Sequence, residues 1–175
     1  MKELKRLPLE LPSWAIFSDD GKYRHALGRR WEFLQPCRYQ LSISLNPSVA
    51  GNDHNDPTII RDINRAKREG YGGLFKGNLF DLISTDPNAL LNDGQEIISD
   101  LCDAYLRLMI LNADEKILCG WGSFSQAVSR EAVVLSLIKE SGKQAYCLGV
   151  NQNGSPKHPL YIRNDQPIIL YSPNG

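Results

Sequence analysis

The chain has 175 residues, of which 42% are hydrophobic and 23% charged, and its 20 basic residues balance 20 acidic ones. These values are typical of one globular domain, which at this length buries roughly 70% of the surface that the unfolded chain exposes. They exclude a strong overall field for polyanions, so any contact with nucleic acid needs a local basic patch. No apolar run is long enough for a membrane span, and the amino terminus lacks the apolar core of a secretory signal, so we expect a cytoplasmic protein.

The four cysteines and three histidines are scattered along the chain. They form no C-x-x-C pair, and Cys102, Cys119 and Cys147 lie in apolar stretches, where a thiol behaves as a small core residue. Three histidines are too few for a histidine-rich metal cluster. The sequence therefore predicts neither a metal site nor a cofactor.

The first predicted element is a β-hairpin in residues 14–33, with its turn at Asp19-Asp20-Gly21. Its second half is the most basic segment of the chain. Charged residues usually lie on solvated faces, which favours a solvated face for Arg24, His25, Arg29 and Arg30. The alternative is a positive track for a nucleic-acid backbone, formed by Arg24, Arg29 and Arg30 and extended by Arg61, Arg65 and Arg68.

After the hairpin, strand patterns alternate with helix patterns. Four strands are predicted, over residues 38–45, 74–80, 116–120 and 144–150. Strands separated by helices pair in parallel and carry helices on both faces. The sequence therefore predicts an α/β fold, a three-layer α/β/α sandwich with a mainly parallel four-stranded sheet plus an N-terminal β-hairpin. We expect a single domain, 1–175, made of a hairpin extension (1–37), a core (38–162) and a C-terminal segment (163–175).

Capping signals mark the predicted helix starts. Asp56 before Pro57 is typical of an N-cap followed by a first-turn proline, and this helix is expected to end at Gly70. Two further helices are expected to start at capping boxes, formed by Asp93 with Glu96 and by Ser123 with Gln126.

Polar residues follow the carboxyl ends of the predicted strands, where open parallel sheets bind ligands. The Asn46 carboxamide can orient a water or pair with a base edge, or it can cap its own turn. Asn78 ends an apolar strand, and if buried it needs partners, either a base edge or a loop. Gly122-Ser123 can place an anion at a helix start or allow close packing. His158 is held extended by the following proline, or is a surface loop residue.

The ordered series LNPS (45–48), GNLF (77–80), ILCGWGSFSQA (117–127) and KHPLY (157–161) resembles the uracil-DNA glycosylase superfamily. The resemblance covers residues 38–162, in the same order and at similar spacings. The combination LNPS, DPTI, GNLF and PKHPLY looks still closer to a family of small proteins catalogued as a domain of unknown function.

The resemblance implies roles for single residues. Asn46 takes the place that positions the attacking water, Asn78 the place that reads the base edge, and His158 the place that bonds a base carbonyl as negative charge develops there. Trp121 and Gln126 correspond to framework positions. The base- or ligand-binding set is completed by Pro47, Ser48, Gly122 and Ser123. Further candidates are Asp53 (a second base or metal ligand), Asp56, Lys157, and Tyr71 or Phe75 as the stacking aromatic.

Two departures from the superfamily pattern bear on the substrate. Ser48 replaces a glycine, and Leu160-Tyr161 replaces the Ser-Pro segment that grips the DNA backbone. They favour a nucleobase, nucleotide or single-stranded nucleic acid over duplex DNA. The expected function is a nucleobase-recognising N-glycosidic-bond hydrolase similar to DNA glycosylases. The alternative is a non-catalytic module that binds a nucleobase, nucleotide or modified nucleic acid on the same fold, and a third possibility is an interaction protein that reuses the fold.

Overall fold

The computed structural model describes residues 3–34, 36–91, 96–125 and 127–173 of the chain. These residues form an α/β fold. Its strands are β1 (Ser13–Phe17), β2 (Arg24–Arg30), β3 (Tyr39–Ser44), β4 (Gly73–Asn78), β5 (Lys116–Cys119), β6 (Gln144–Cys147) and β7 (Ile169–Leu170). Its helices are α1 (Pro57–Arg68), α2 (Cys102–Asn112) and α3 (Ala127–Glu140), with 3-10 turns at Pro87–Leu91 and Pro159–Tyr161. None of the helices in these ranges is long and apolar enough to cross a membrane.

All seven strands belong to one mixed sheet, in the order β1-β2-β4-β3-β5-β6-β7. The four strands predicted after the hairpin form its parallel centre, β4-β3-β5-β6. The sheet is nevertheless larger than the four strands predicted, and it is mixed, with seven strands. The hairpin joins the sheet because β2 pairs antiparallel with β4, and the C-terminal segment adds β7 antiparallel to β6.

The basic strand β2 lies inside the protein. It pairs with β1 on one side and β4 on the other, and Arg24, His25 and Arg29 are each no more than 6% exposed. The predicted solvated face is therefore wrong for these three residues. A β-bulge contributes to this arrangement, since Ile16 pairs with Ala26 while Phe17 pairs with Arg24, which leaves His25 as the extra residue.

The two faces of the parallel centre differ in polarity. Leu41, Ile43 and Phe75 belong to the main hydrophobic core, together with buried residues of α2 and α3. The residues that alternate with them point to the other face, where Ser42 and Lys76 meet Asp62 of α1. A sheet face covered by α1 therefore carries polar groups into the protein.

Helix starts were predicted with uneven success. The N-cap at Asp56 is confirmed, because its side chain accepts a hydrogen bond from the Ile59 amide. Helix α2 begins at Cys102, later than the predicted start near Glu96, and Asp93 lies outside the described residues. Helix α3 begins at Ala127, and Gln126 of the second capping box also lies outside the described residues.

Candidate functional site

A polar pocket of about 150 Å³ lies at the carboxyl ends of β3 and β4. Asn46, Asn78 and His158 line it, although they come from three separate segments of the chain. The start of α1 forms another part of the wall. The rest of the lining consists mainly of polar side chains: Arg24, Ser44, Ser48, Asp56, Thr58, Lys76, Ser84 and Thr85.

An open groove of about 410 Å³ adjoins this pocket, and Asn46 and His158 line both. The groove is walled by Trp121, Phe124 and Tyr161, together with the predicted ligand-binding residues Gly122 and Ser123. Among the described residues that line it, none is Asp, Glu, Lys or Arg. The pocket is thus polar and charged, whereas the groove is aromatic and uncharged.

The Asn46 carboxamide is held in one orientation by backbone carbonyls. Its Nδ2 donates to the Ser84 carbonyl at 2.9 Å and to the Pro47 carbonyl at 3.2 Å. The Ser84 amide in turn donates to the Pro47 carbonyl, which ties the two loops together. Because the N–H groups are directed at the backbone, the Asn46 Oδ1 is the atom that can accept a hydrogen bond from a water or ligand.

His158 is held as a neutral hydrogen-bond donor. It precedes the 3-10 turn at Pro159–Tyr161, and its Nδ1 accepts from the Leu160 amide at 3.2 Å. The proton of the neutral ring therefore lies on Nε2. Burial, helped by the charge of Lys76 and opposed by Asp62 and Asp56, lowers the pKa of His158 to about 4. At neutral pH the ring is uncharged and can donate from Nε2.

Two glycines allow the His158 segment to approach β5. A Cβ at Gly120 would lie 2.7 Å from Cδ of Pro159, which is shorter than any normal contact. Gly122 has a φ of +75°, and its amide donates to the Pro156 carbonyl at 2.9 Å. Close packing therefore accounts for the G-W-G stretch, and the start of α3 lies further along, at Ala127.

A buried ion pair lies beneath the pocket. Lys76 Nζ donates to Asp62 Oδ2 at 2.6 Å, to Ser44 Oγ at 2.6 Å and to Ser42 Oγ at 3.0 Å, so its three N–H groups are all used. The side chains of Lys76 and Asp62 are 3% and 0% exposed. Sequence reasoning missed both residues. The available signal was a lysine inside an apolar strand and an aspartate on the apolar stripe of α1, between Ile59 and Ala66.

Arg24 also lines the pocket. Its Nη1 donates to the Ala50 carbonyl at 2.7 Å and its Nη2 makes a long contact of 3.4 Å with Asn78 Oδ1. Nε of Arg24 and Nδ2 of Asn78 are buried donors that have no partner among the described residues. Burial lowers the pKa of Arg24 to about 10, although Asp56 partly opposes the shift, so the guanidinium remains charged at neutral pH.

Ser48 and Asp56 interact directly. Asp56 Oδ2 accepts from Ser48 Oγ at 2.5 Å, and its Oδ1 accepts from the Ile59 amide at 2.9 Å. Burial by itself raises the pKa of Asp56, but these two hydrogen bonds and the charges of Lys76 and Arg24 lower it overall. Asp56 is therefore ionised at neutral pH, with both oxygens engaged.

Four of the additional candidates do not line the pocket. Phe75 is fully buried in the main core and stacks on Tyr39, with ring centroids 4.3 Å apart, because it points to the α2 face of the sheet. Tyr71 precedes β4 and lines a cavity at the opposite edge of the sheet. Neither aromatic can therefore stack on a base in the pocket, which corrects that prediction. Asp53 and Lys157 are exposed and are also not among the pocket residues.

The arginines of the predicted track donate to the protein itself. Arg29 reaches the carbonyls of Gly51 and His54, and Arg30 reaches the carbonyls of Leu9 and Glu32. On α1, Arg61 and Arg65 hold the C-terminal loop through the carbonyls of Ile162, Arg163 and Gln166. The described structure does not bring these side chains together as one free basic surface.

A metal site is also not formed by the described residues. Within the described ranges, no three His, Cys, Asp or Glu side chains converge to hold a metal ion.

The chain was compared with known proteins. A family model described as "Protein of unknown function (DUF1643)" matches residues 24–160, which is most of the chain. Comparison with curated proteins and comparison with solved structures give no match. The family match assigns no activity and does not test the resemblance to the uracil-DNA glycosylase superfamily, which stays a prediction.

Proposed function

The chain belongs to the DUF1643 family, and we propose that its polar pocket holds a nucleobase and that the protein cleaves an N-glycosidic bond in a nucleotide or nucleic acid. One observation carries the proposal: Asn46, Asn78 and His158 converge on a single pocket at the carboxyl edge of the parallel strands. The proposal includes a three-layer α/β/α arrangement, in which α1 covers the polar sheet face and α2 with α3 covers the apolar one.

The pocket groups are complementary to the edge of a base. Arg24 Nε, Asn78 Nδ2 and His158 Nε2 are donors, and Asn46 Oδ1 is an acceptor. A nucleobase carries carbonyl or ring-nitrogen acceptors and N–H donors in one plane. Buried donors without partners are costly, and a bound base would satisfy them.

The proposed reaction uses water as the nucleophile. As the bond between the sugar carbon and the base nitrogen breaks, its electron pair stays on the base, and negative charge spreads to the base oxygens. His158 Nε2–H donates to such an oxygen, and a fixed donor in a buried site can supply a few kcal/mol of stabilisation. Asn46 Oδ1 accepts a hydrogen bond from the water that adds to the sugar carbon. A carboxamide cannot take up the proton of that water, so the proton passes to the departing base or to solvent.

The groove provides room for the part of the substrate beyond the base. It is continuous with the pocket at Asn46 and His158. The side chain of Tyr161 is 83% exposed on its wall, with its ring centroid 5.7 Å from that of His158. An uncharged, aromatic surface suits a sugar or a neighbouring base better than a phosphate.

The non-catalytic alternative is supported by one observation. Asp56 is the carboxylate that lines the pocket, and both its oxygens already accept hydrogen bonds. It is therefore poorly placed to take a proton from water. A protein that binds a base, nucleotide or modified nucleic acid without cleaving it would need no such base.

The test pairs a turnover assay with a binding assay. The protein is incubated with free nucleosides and with oligonucleotides that contain uracil, hypoxanthine or modified bases, and released base is quantified by chromatography. Thermal unfolding is then measured with the same compounds. His158→Ala is compared with His54→Ala, which changes an exposed histidine outside the pocket.

Base release that is lost in His158→Ala but kept in His54→Ala would support the hydrolase. Stabilisation by bases without release would select the binding module. If no compound is cleaved and none stabilises the protein, both proposals are contradicted.

A further inference from the structure

Arg24 lies in the pocket without a counter-ion. Arg24 is 2% exposed, yet no described carboxylate lies within ion-pair distance of its guanidinium. Its firm hydrogen bond is to a neutral carbonyl, that of Ala50, and Nε has no partner among the described residues. A buried charge is costly unless it is paired, so such a site favours the arrival of an anion.

The neighbouring charges do not provide that anion. Asp62 is engaged with Lys76 at 2.6 Å, and Lys76 uses its remaining N–H groups on Ser42 and Ser44. The carboxylate of Asp56 is held by Ser48 and by the Ile59 amide. Lys76 and Asp56 have no hydrogen-bonding atom left over, and the unpartnered Oδ1 of Asp62 is an acceptor that cannot bind an anion, whereas Arg24 Nε and the adjacent Asn78 Nδ2 are donors without a partner among the described residues.

We propose that Arg24 makes the pocket selective for a base that carries negative charge, with Arg24 Nε and Asn78 Nδ2 donating to its oxygen atoms. The inference rests on the proposed function, because it assumes that a base occupies the pocket. Sequence resemblance gives no role to Arg24, since it lies outside the matching motifs.

The same arrangement serves cleavage. When the glycosidic bond breaks, the base leaves with the electron pair and becomes an anion until it gains a proton. A cation fixed in the pocket interacts more strongly with that anion than with the neutral base of the substrate, and this is the condition for lowering a barrier. Arg24 and His158, which line the same pocket, would then both act on the leaving group.

A purely structural arginine is the competing explanation. The bond from Nη1 to the Ala50 carbonyl would serve to anchor the loop after β3, and Nε would have no function. The two explanations differ in binding, because an anchoring arginine does not distinguish a charged base from a neutral one.

The experiment measures affinities of three pyrimidines by calorimetry at pH 8. 5-Nitrouracil is an anion there, whereas uracil and thymine are neutral, and thymine controls for bulk at position 5. In the unmodified protein we expect 5-nitrouracil to bind about tenfold or more tightly than uracil, from the difference between charge-assisted and neutral hydrogen bonds. Arg24→Gln should abolish this preference.

A second variant keeps the test decisive if Arg24→Gln does not fold, which circular dichroism would reveal. Asn78→Asp retains Arg24 and places a carboxylate beside its Nη2, so it supplies the missing counter-ion and should also remove the preference for the anion. Arg107→Gln is the matched control, because it removes a positive charge from an exposed pair with Glu140, away from the pocket.

The outcomes separate this inference from the proposed function. If all three pyrimidines bind with equal affinity, the inference is wrong and base binding stands. A preference for the anion that survives in Asn78→Asp and in a folded Arg24→Gln would contradict the role of Arg24. If none of the three pyrimidines binds, the inference fails, whereas the proposed function is decided separately by the assays with nucleosides and oligonucleotides.

Discussion

The two edges of the parallel sheet carry cavities that differ in size and in chemistry. The cavity at the amino edge is the larger, about 530 Å³, and it is lined by charged residues that include Arg38, Asp114 and Lys116. Arg38 and Asp114 form an ion pair in this cavity, with Nε and Oδ2 2.6 Å apart. The Arg38 side chain is 58% exposed. The pocket at the carboxyl edge is smaller, about 150 Å³, but its cations Arg24 and Lys76 are buried and some of its donors have no partner among the described residues. Unsatisfied buried donors, and not volume, distinguish the candidate site.

The chain direction explains the difference. Parallel strands and α1 run in opposite senses, so the start of α1 faces the carboxyl edge and its last turn faces the amino edge. At the carboxyl edge Asp56, Thr58 and Ile59 bring the positive end of the helix to the pocket. At the amino edge Arg68 is exposed and Glu69 is half-buried. Water reaches the exposed groups there, whereas Arg24 Nε and Asn78 Nδ2 at the pocket are buried and have no partner among the described residues.

The largest expected effect comes from breaking the ion pair beneath the pocket. Lys76→Met leaves Asp62 buried without its cation, and we expect a loss of about 3–5 kcal/mol in the free energy of unfolding. At the amino edge, Arg38→Gln breaks an exposed pair and should cost less than about 1 kcal/mol. Urea unfolding of both variants measures the contrast.

The double variant Lys76→Met with Asp62→Leu tests the cause. Removing both charges should recover much of the lost stability, because neither Asp62 nor Lys76 is then left as a buried charge without its partner. Equal costs for Lys76→Met and Arg38→Gln would contradict the distinction between the two edges.

The next effect concerns pH, through His158. Burial lowers its pKa from 6.5 to about 4, so below pH 6.5 the unfolded chain binds a proton that the folded protein does not. Stability from this group is therefore complete above pH 6.5 and declines as the pH falls towards 4, by on the order of 3 kcal/mol. The surrounding charges are Lys76, Asp56 and Asp62.

The measurement compares urea unfolding of the unmodified protein with that of His158→Gln between pH 4 and 7. The variant lacks this titration, so the difference between the two proteins should change across the interval, in favour of the variant at low pH. Parallel curves would mean that His158 is not buried as a neutral ring.

Much of the fold could be predicted from local sequence. The parallel strands follow from apolar runs between capping signals, and Asp56-Pro57 marked the start of α1 because N-cap chemistry is local. The burial of Arg24 and Arg29 could not be predicted in this way. Their partners are the carbonyls of residues 50–54, and a loop reaches those positions only once β2 has joined the sheet. The two-residue strand β7 is too short to leave a pattern.

The site could be predicted in part for the same reason. Asn46, Asn78 and His158 stood out because strand ends and a resemblance drew attention to them. Lys76 and Asp62 were missed because each, taken alone, reads as a solvated charge. Read together, they are an acid and a base at buried positions of neighbouring elements, and that pairing depends on α1 packing against β4.

A smaller effect is expected at Gly120, which lies in close contact with Pro159, the residue after His158. In Gly120→Ala the new methyl group would collide with Pro159, and we expect a loss of about 1–3 kcal/mol in stability together with weaker base binding, because His158 must move. Gly51→Ala is the control, since the nearest atom to its Cβ is Phe17 Cζ at 4.0 Å. Thermal unfolding and base titration of both variants test this, and unchanged binding in a destabilised Gly120→Ala would show that the close contact does not position His158.

The smallest effect on stability, and the most specific for the groove, is expected from Tyr161. Because this side chain is 83% exposed, Tyr161→Ala should change the free energy of unfolding by no more than about 0.5 kcal/mol. If the groove holds what is attached to the base, the variant should bind a nucleoside roughly fivefold or more weakly, since stacking on an aromatic side chain contributes about 1–3 kcal/mol. Its affinity for the free base should not change, because the free base occupies the pocket alone.

Two control variants accompany this test. Tyr161→Phe keeps the ring and should bind like the unmodified protein. Leu170→Ala removes another exposed apolar side chain, on strand β7. Equal losses for nucleoside and free base would place Tyr161 at the pocket, and no loss for either would remove the groove from the binding site.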